Sequence, residues 1–573
     1  MAGSSQLIKI AGLGWYHNLR GGLYRSRAYR WRFGGRSADR LLLAPQDIRT
    51  SDPVMANELF GGRFSLGGSA IVAGVKSPFA IEPPSLAWQN ALLGFGWLRH
   101  LRVPDSEVAR ARARSLVSDW IAQHGRFQLP SWDPEIVARR IISWICHSPV
   151  ILEGANRNEY RAFMRSLTRQ VRYLRRAIAN TNEGQARMTA IIALNFAGLC
   201  LSGMPRLQKQ SAKWLNDELT SQILPDGGHI SRNPGLLIEL LLDLLPLRQT
   251  FTAREIPPPT ALLNSIDRIM PMLRFFRHTD GTFALFNGMS CTPADTLATV
   301  LAYDDSHGKP HGNAPYSGYQ RMAAGKTTIL VDTGAPPPIA VSQKAHAGCL
   351  AFEMSTGGQR VIVNCGHPAV AVADWVRAAR TTAAHSTASI ADTSSSRFTD
   401  ERQFGSYTNG LLVAGPRNVR VDREENQTGI HLTLSHDGYK SRFDVVHERM
   451  LSIDSDGNTL KGHDHFETSR DRTNAAFAIR FHLHPDIRIT PTNNDHGLLL
   501  NLPNGEIWAF TADGASIEIE ESVFLPEPSG AVITSQLVLS GKVADNPDIA
   551  WILHRITARP EKTDALDEND KSG

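Results

Sequence analysis

The hydrophobic pattern of this chain changes near residue 305, and that change constrains the fold more than any other feature. Before it, apolar residues recur at helical spacing over stretches of ordinary helix length. These stretches cover 85–102, 106–123, 133–147, 157–179, 185–202, 206–223, 234–248 and 259–276. Short turns join them, which favours antiparallel neighbours. Because no sharp repeat of the solenoid kind is present, a closed toroid is preferred to a solenoid.

Short alternating runs replace the helical pattern after residue 318. Examples are "TTILVDTG", "RVIVNCG", "GIHLTLSHDG" and "AFAIRFHLHP", separated by turn residues at the intervals of a β-sandwich. The sequence predicts an α+β chain in which an N-terminal incomplete (α/α) toroid precedes a C-terminal antiparallel β-sandwich. The predicted segments are a basic lead-in at 1–84, the toroid at 85–303, the sandwich at 316–558 and a polar tail at 559–573.

Positive charge is concentrated at the start of the chain, although the net charge is only +5. Residues 1–40 contain eight Lys and Arg against the single acid Asp39. This segment indicates either an acidic partner (a membrane surface, a nucleic acid or a polyanionic glycan) or a solvated arm. No apolar run is long enough to span a membrane, and no ordinary secretion signal is visible.

Several common chemistries lack sequence support. The five cysteines are scattered without a C-x-x-C pair, which indicates reduced, buried thiols rather than disulfides or a cysteine-based zinc site. No glycine-rich nucleotide-binding motif, H-E-x-x-H or G-x-S-x-G is present. Nucleotide-dependent and serine-hydrolase functions are therefore disfavoured.

A possible metal site is indicated in the sandwich half. In "AHAGCLAFEMS" (345–355), His346 has the same parity as the alternating apolar residues, so a strand would aim its ring inward. Asn364 and His385 lie on or beside the next extended runs, and two His with one oxygen could hold a zinc-like ion, with His367 or water as a fourth ligand. The alternative is a hydrogen-bonded polar network without metal.

The stretch "LPDGGHISRNP" (224–234) joins two predicted helices. Pro, Asp and two Gly specify a tight turn, and Asn233 with Pro234 begins the next helix. His229 and Arg232 then stand beside a helix N-terminus, where they would favour an anion such as a carboxylate. The alternative is a capped loop in which Arg232 forms an ordinary ion pair.

Together these segments carry a family resemblance. The toroid followed by "SGYQRMAAGKTTILVDTG", "AHAGCLAFEMS", "VIVNCG" and "RTTAAHST" resembles the heparinase II/III-like polysaccharide lyases, and "LPDGGHISRNP" is similar to their P-D-G-G-x-x-E-R-S-x-x-Y-H stretch. The resemblance covers about residues 85–555. It implies β-elimination on a uronic-acid-containing polysaccharide, which needs a group that neutralises the carboxylate, a base and an acid.

The resemblance also implies site residues. The candidate catalytic residues are His229, Arg232, Tyr319 and Lys344, and the candidate ligands of one weakly held zinc-like ion are His346, Asn364 and His385. Some family positions differ: the first His of the H-x-H-x-D strand falls on Lys344, and the catalytic Tyr on about Leu236.

Because some family positions are retained and others are altered, two functions are possible. One is a lyase with an acidic polysaccharide as its partner and no nucleic acid. The other is a catalytically degenerate glycan-binding or envelope-associated protein. The resemblance implies the periplasm or cell envelope, whereas the missing signal leaves the cytoplasm as the alternative.

Overall fold

A computed structural model describes residues 33–556 apart from 75, 305–307, 371, 400–408, 470–472 and 493–496, and also positions 12, 14–16, 19 and 22. Most of the basic segment before residue 33 and the tail at 559–573 lie outside the described residues. Within the described part, no helix combines the length and the apolarity needed to cross a membrane.

The first half is helical, as the periodicity predicts. The helices are α1 Pro53–Phe60, α2 Leu86–Gly94, α3 Glu107–His124, α4 Pro134–Cys146, α5 Ser148–Leu152, α6 Arg157–Ala177, α7 Gln185–Cys200, α8 Pro205–Gln222, α9 Pro234–Ala253, α10 Thr260–Phe275 and α11 Ala294–Leu301. A hairpin of β1 Arg63–Leu66 and β2 Ser69–Val72 follows α1. Helix α7 is buried nearly all round, because apolar residues cover every side of it.

The second half is built of strands with two short helices, α12 Ala373–Ala378 and α13 Lys440–Phe443. The strands are β3 Asn313–Ala314, β4 Tyr319–Ala324, β5 Thr327–Asp332, β6 Phe352–Thr356, β7 Gln359–Val363, β8 Ala388–Ile390, β9 Arg397–Phe398, β10 Leu412–Ala414, β11 Val419–Asn426, β12 Gly429–His436, β13 Val445–Asp454, β14 Thr459–Thr468, β15 Ala476–Leu483, β16 Arg488–Pro491, β17 Gly497–Asn501, β18 Ile507–Asp513, β19 Ser516–Phe524, β20 Val532–Lys542 and β21 Asp548–Arg555.

Two large antiparallel sheets form the predicted sandwich. In the described residues, one sheet has eight strands in the order β11-β12-β13-β14-β21-β18-β17-β16. The other has nine strands, in the order β19-β20-β15-β7-β6-β5-β4-β3 with β8 paired to β15. The α+β fold class is confirmed, whereas the exact limits of the four predicted segments stay predictions.

Strand β5 of the nine-stranded sheet is buried on both faces. On β5, Ile329 and Val331 belong to the core between the sheets, whereas Leu330 packs into the core of the helical half. Side chains alternate along a strand, so an uninterrupted apolar run such as "ILV" is expected where both faces are covered. This sheet therefore joins the sandwich directly to the toroid.

The strand predicted to carry His346 begins later than expected. Strand β6 starts at Phe352, and His346 lies in the loop before it. Leu350 has a φ of 61°, a left-handed conformation that interrupts any extended run. The prediction of His346 on a strand is therefore wrong, because local alternation does not reveal a backbone reversal.

Candidate functional site

A cleft of about 1030 Å³ opens between the toroid and loops of the sandwich half. Helices α2, α4 and α7 contribute to its wall, and Gln343 and Asn409 line it from the other half. Its charged lining side chains in the described part are Asp47, Arg49, Arg99, Asp133, Glu135, Arg139 and Glu239. The volume reaches the upper end of the range for small-molecule pockets, so an extended ligand fits.

Two arginines of the cleft share one buried carboxylate. Nη1 of Arg49 and Nη1 of Arg139 each donate to Oδ1 of Asp243 over 2.9 Å. Burial by itself would raise the pKa of Asp243, but the two guanidiniums outweigh it and hold this pKa below its ordinary value. Asp243 therefore stays ionised and fixes both arginines in the wall.

A third arginine of the cleft is less constrained. Nε of Arg99 donates to the carbonyl of Thr50 over 3.0 Å, and Nη1 donates to the carbonyl of Gly96 over 2.6 Å. No described carboxylate lies within ion-pair distance of Arg99. Arg99 and the remaining N–H groups of Arg139 are therefore placed to bind an anionic group of a ligand. We refer to Arg49, Arg99 and Arg139 as the cleft arginines.

The turn before α9 forms as its sequence predicts. Gly227 has a φ of 88°, and a Cβ at this position would lie 1.9 Å from the carbonyl oxygen of Arg268. Oδ1 of Asp226 accepts from the N–H of Gly228 over 3.1 Å, and the Asn233 side chain caps the helix by accepting from Gly235. Position 227 of the turn therefore requires glycine, because any Cβ there would clash with the backbone of Arg268.

His229 is held inside this turn. Its Nδ1 accepts from the N–H of Ser231 over 3.0 Å, so Nε2 carries the proton and donates to Oε1 of Gln222 over 2.8 Å. Burial lowers the pKa of His229 to about 3, so the ring is neutral. Both nitrogens are engaged, which favours a structural role for His229 over that of a base.

Arg232 joins the two halves of the molecule. Its side chain donates to the carbonyls of Ser317, Gly318, Gly334 and Ala335 and to Oδ1 of Asp332, the last over 2.6 Å. These five contacts use all the N–H donors of a guanidinium. Burial would lower the pKa of Arg232, but the charge of Asp332 outweighs it and raises this pKa.

Tyr319 belongs to the same cluster. Its hydroxyl donates to the carbonyl of Arg232 over 2.6 Å and accepts from Nδ2 of Asn287 over 2.7 Å. Nδ2 of Asn287 also contacts Oδ2 of Asp332 at 3.1 Å. Burial raises the pKa of Tyr319, so the phenol stays protonated. We call Arg232, Asn287, Tyr319 and Asp332 the junction cluster.

Lys344 is the exposed member of the four predicted catalytic residues. It follows Gln343, which lines the cleft. Burial and then the charge of Lys344 lower the pKa of His367 to about 4. No described carboxylate lies within ion-pair distance of Lys344. Its ammonium is therefore available to a ligand at the cleft.

The predicted metal ligands are brought together only in part. Nδ1 of His346 lies 3.1 Å from Nε2 of His385, whose Nδ1 donates to the carbonyl of Thr381 over 2.7 Å. Nε2 of His346 is buried without a partner in the described part. Asn364 is already engaged, since its Oδ1 accepts from Ser386 over 2.9 Å.

These residues do not amount to a complete zinc site. Nδ2 of Asn364 donates to Oε1 of Glu353 over 3.1 Å, so a buried carboxylate orients the amide. The described residues contain no group of three or more His, Cys, Asp or Glu arranged to hold a metal. Two neighbouring imidazoles are fewer donors than zinc requires, and zinc binding stays a prediction.

Two features of the site were missed at the sequence level. Glu353, in the "AHAGCLAFEMS" stretch, is fully buried and accepts from His278 and Arg360 at 3.0 and 2.7 Å. A glutamate inside an otherwise apolar run was the available signal for it. The cleft arginines had no such signal, because they come from separate segments that only the folded helical half brings together.

A toroid, a two-sheet sandwich and a cleft between them define the architecture of heparinase-type polysaccharide lyases. The model of the heparinase II/III-like C-terminal domain matches residues 306–552. A relative from Caulobacter vibrioides (strain NA1000 / CB15N), FtsZ-localized protein C, is 32% identical over 513 residues, and the match covers 87% of each chain. The chain belongs to the heparinase II/III-like family.

Solved structures show the same architecture. The crystal structure of heparinase III matches with a TM-score of 0.71 and 13% identity, covering 95% of this chain and 91% of that chain. A mutant of the heparan sulfate lyase HepC from Pedobacter heparinus matches with a TM-score of 0.61 and 16% identity, covering 98% and 92%. At such identities the likeness shows the fold alone.

Proposed function

We propose that this chain binds an acidic carbohydrate in the cleft and does not cleave it by β-elimination. The observation that carries this proposal is the saturation of Arg232. The residue predicted to neutralise the uronate carboxylate donates all five N–H groups to the protein itself. A carboxylate would have to displace the bond to Asp332 and so leave a buried charge unpaired, which is costly.

The supply of a base supports the same proposal. No tyrosine lines the cleft in the described part of the chain. His100 does line it, but Nδ1 of His100 accepts from the N–H of Asp52 over 2.9 Å, so its other nitrogen carries the proton. With His229 and Tyr319 engaged elsewhere, none of these histidines and tyrosines is free to act as a general base on a substrate in the cleft.

The cleft nevertheless retains groups suited to binding. Arg99 and Arg139 keep N–H donors for carboxylate or sulfate oxygens, and Lys344 adds an exposed ammonium beside Gln343. Charge-assisted hydrogen bonds of this kind are stronger than neutral ones. An oligosaccharide with carboxylate or sulfate groups is the ligand class that uses them.

Oligosaccharides of heparan sulfate, alginate and hyaluronan test the proposal. We expect calorimetry to show binding to at least one of them, while the absorbance of unsaturated uronate stays flat. Arg99→Gln should weaken binding about tenfold, the value of one charge-assisted bond. The matched control is Arg488→Gln on β16 of the sandwich, which should bind normally. A rise in absorbance would establish a lyase and contradict the proposal.

A second function rests on the relative named FtsZ-localized protein C. We propose that this chain shares localisation to the division site, because the match extends over both halves of the molecule. A fluorescent fusion at the native locus should form a band at midcell that disperses when FtsZ is depleted. Uniform fluorescence would contradict the proposal, and cell fractionation would assign the compartment.

A further inference from the structure

The lining of the cleft carries positive and negative charge in nearly equal amounts. Within the described part, the three cleft arginines share the lining with four acids, Asp47, Asp133, Glu135 and Glu239. His100 adds no charge, because burial lowers its pKa to about 4. A cleft that attracts only polyanions is expected to carry an excess of positive charge. The balance of charge therefore points to a ligand that is not purely anionic.

Two of the four acids are paired with an arginine of the wall. Asp47 and Glu239 lie 3.5 and 3.7 Å from the guanidinium of Arg49. Oδ2 of Asp47 also lies 3.3 Å from Nε2 of His147. The charges of these two acids are therefore compensated inside the protein, and neither carboxylate needs a cation from a ligand.

The other two acids, Asp133 and Glu135, have no such cation. No described Lys, Arg or His lies within ion-pair distance of either carboxylate. Oδ1 of Asp133 accepts from the N–H of Glu135 over 3.0 Å, so the Asp133 side chain caps helix α4. The side chain of Glu135 lines the cleft and is exposed. Glu135 therefore presents an uncompensated negative charge to the cavity.

The surroundings of Glu135 disfavour that charge. The walls of the cleft reduce the hydration of its carboxylate and so raise its pKa, and the charge of Asp133 raises this pKa further. The charges of Lys344 and Arg139 lower the same pKa by smaller amounts. A further anion placed beside Glu135 would add to the cost of its charge, whereas a cation would relieve it.

Lys344 supplies a positive charge from the other half of the molecule. Its charge acts on Glu135, although the two groups are not within ion-pair distance of each other. Glu135 begins helix α4 of the helical half, whereas Lys344 lies in the loop before β6. A ligand held between the two halves therefore meets an anion on one side and a cation on the other.

We propose that the carbohydrate bound in this cleft is zwitterionic, with protonated amino groups beside its carboxylates, and that Glu135 selects for the ammonium. This inference rests on the function proposed above, the binding of an acidic carbohydrate. Carboxylates of the ligand pair with Arg99, Arg139 and Lys344, and an ammonium donates charge-assisted hydrogen bonds to Glu135. A glycan whose amines are all acetylated lacks this last contact and leaves Glu135 beside further carboxylates.

Three hexasaccharides isolate the contribution of the ammonium in calorimetry at about pH 6, where sugar amines and carboxylates are both charged. Hyaluronan has carboxylates and acetylated amines. De-N-acetylated hyaluronan has the same carboxylates with ammonium groups, and chitosan has ammonium groups alone. We expect de-N-acetylated hyaluronan to bind about tenfold more tightly than either of the others, the value of one charge-assisted hydrogen bond.

Glu135→Gln should change the affinities for the two hyaluronans in opposite directions. The variant should lose about tenfold in affinity for the de-N-acetylated hexasaccharide. It should bind the acetylated one more tightly than the unmodified chain does, because the repulsion of the sugar carboxylates is removed. The matched control is Glu467→Gln, an exposed position on β14 of the sandwich half, which should leave both affinities unchanged. Both variants should keep the melting temperature of the unmodified chain.

The outcomes distinguish a failure of this inference from a failure of the proposed function. Equal affinity for the two hyaluronans, or a Glu135→Gln variant that weakens both equally, would overturn the selection of an ammonium and leave the binding of acidic carbohydrate intact. Chitosan that binds as tightly as de-N-acetylated hyaluronan would overturn the inference as well, because the carboxylates would then contribute nothing. If no acidic oligosaccharide binds at all, the proposed function fails together with the inference.

Discussion

Arginine and aspartate side chains form both the junction cluster and the cleft wall. The two regions differ in how many arginine N–H donors remain without an acceptor. In the junction cluster one arginine meets one aspartate and four backbone carbonyls, and its donors are used up. In the cleft wall, Arg49 and Arg139 share Oδ1 of Asp243, and Arg49 also faces Asp47 and Glu239. The hydrogen bonds of the Arg99 side chain go only to backbone carbonyls. A saturated arginine holds structure together, whereas an unsaturated arginine at a cavity is available to a ligand.

The largest expected effect comes from breaking the junction cluster. Asp332→Ala removes the carboxylate from buried Arg232 and should lower the free energy of unfolding by about 3–5 kcal/mol. Chemical denaturation measures this loss. The control is Asp374→Ala, which breaks the exposed ion pair with Arg377 and should cost under about 1 kcal/mol. Similar losses in both variants would show that Arg232 is not held as described.

The next largest effect is a pH dependence of stability caused by His229, in the turn that precedes α9. The pKa of His229 is about 3 in the fold and 6.5 as the ordinary value, so the unfolded chain binds the extra proton between these pH values. Stability from His229 is therefore complete above about pH 6.5 and falls as the pH drops, by about 2 kcal/mol at pH 5.

His229→Gln tests this pH dependence. The variant should be less stable than the unmodified chain at pH 8, and the difference should shrink towards pH 5. Urea denaturation at the two pH values measures it. A difference that is constant with pH would mean that His229 keeps its proton in the folded chain, contrary to its neutral, doubly bonded state.

A smaller effect is expected on the affinity of the cleft for its ligand. Asp243→Asn frees Arg139 from its carboxylate, whereas Arg49 keeps Asp47 and Glu239 at 3.5 and 3.7 Å. The affinity for an acidic oligosaccharide should therefore rise about fivefold through Arg139. The control is Asp486→Asn, an exposed acid of the sandwich half that should leave affinity unchanged. Calorimetry measures both. A fall in affinity would show that Asp243 acts by orienting the arginines and not by competing for them.

The smallest expected effect is on chemistry. Lys344→His restores a histidine where the strand of the family commonly has one. We expect no unsaturated-uronate absorbance from this variant, because Arg232 remains saturated and the family resemblance puts the catalytic tyrosine at about Leu236, whose side chain cannot transfer a proton. Elimination activity in Lys344→His would show that a single base was the missing group.

Much of the fold could be predicted because helical and strand periodicity are local. Helix α6 was expected at 157–179 and spans Arg157–Ala177, and the turn with Gly227 formed as its residues require. The prediction that His346 lies on a strand was wrong. The left-handed backbone of Leu350 interrupts the extended run, and the alternation of apolar residues does not reveal it. The neighbouring position of His346 and His385 was expected from consecutive runs, but the engagement of Asn364 by Glu353 was not visible.

The sequence by itself determined the order of helices and strands, the turn before α9 and the family resemblance. Each of these depends on residues close together in the chain. Only the tertiary structure decided whether the hydrogen-bond donors of an arginine are used within the protein or are available to a ligand. The sequence alone does not distinguish the roles of Arg232 and Arg99. The difference depends on how many hydrogen-bond acceptors surround each guanidinium in the fold. Those acceptors, such as Asp332 for Arg232, lie about a hundred residues away.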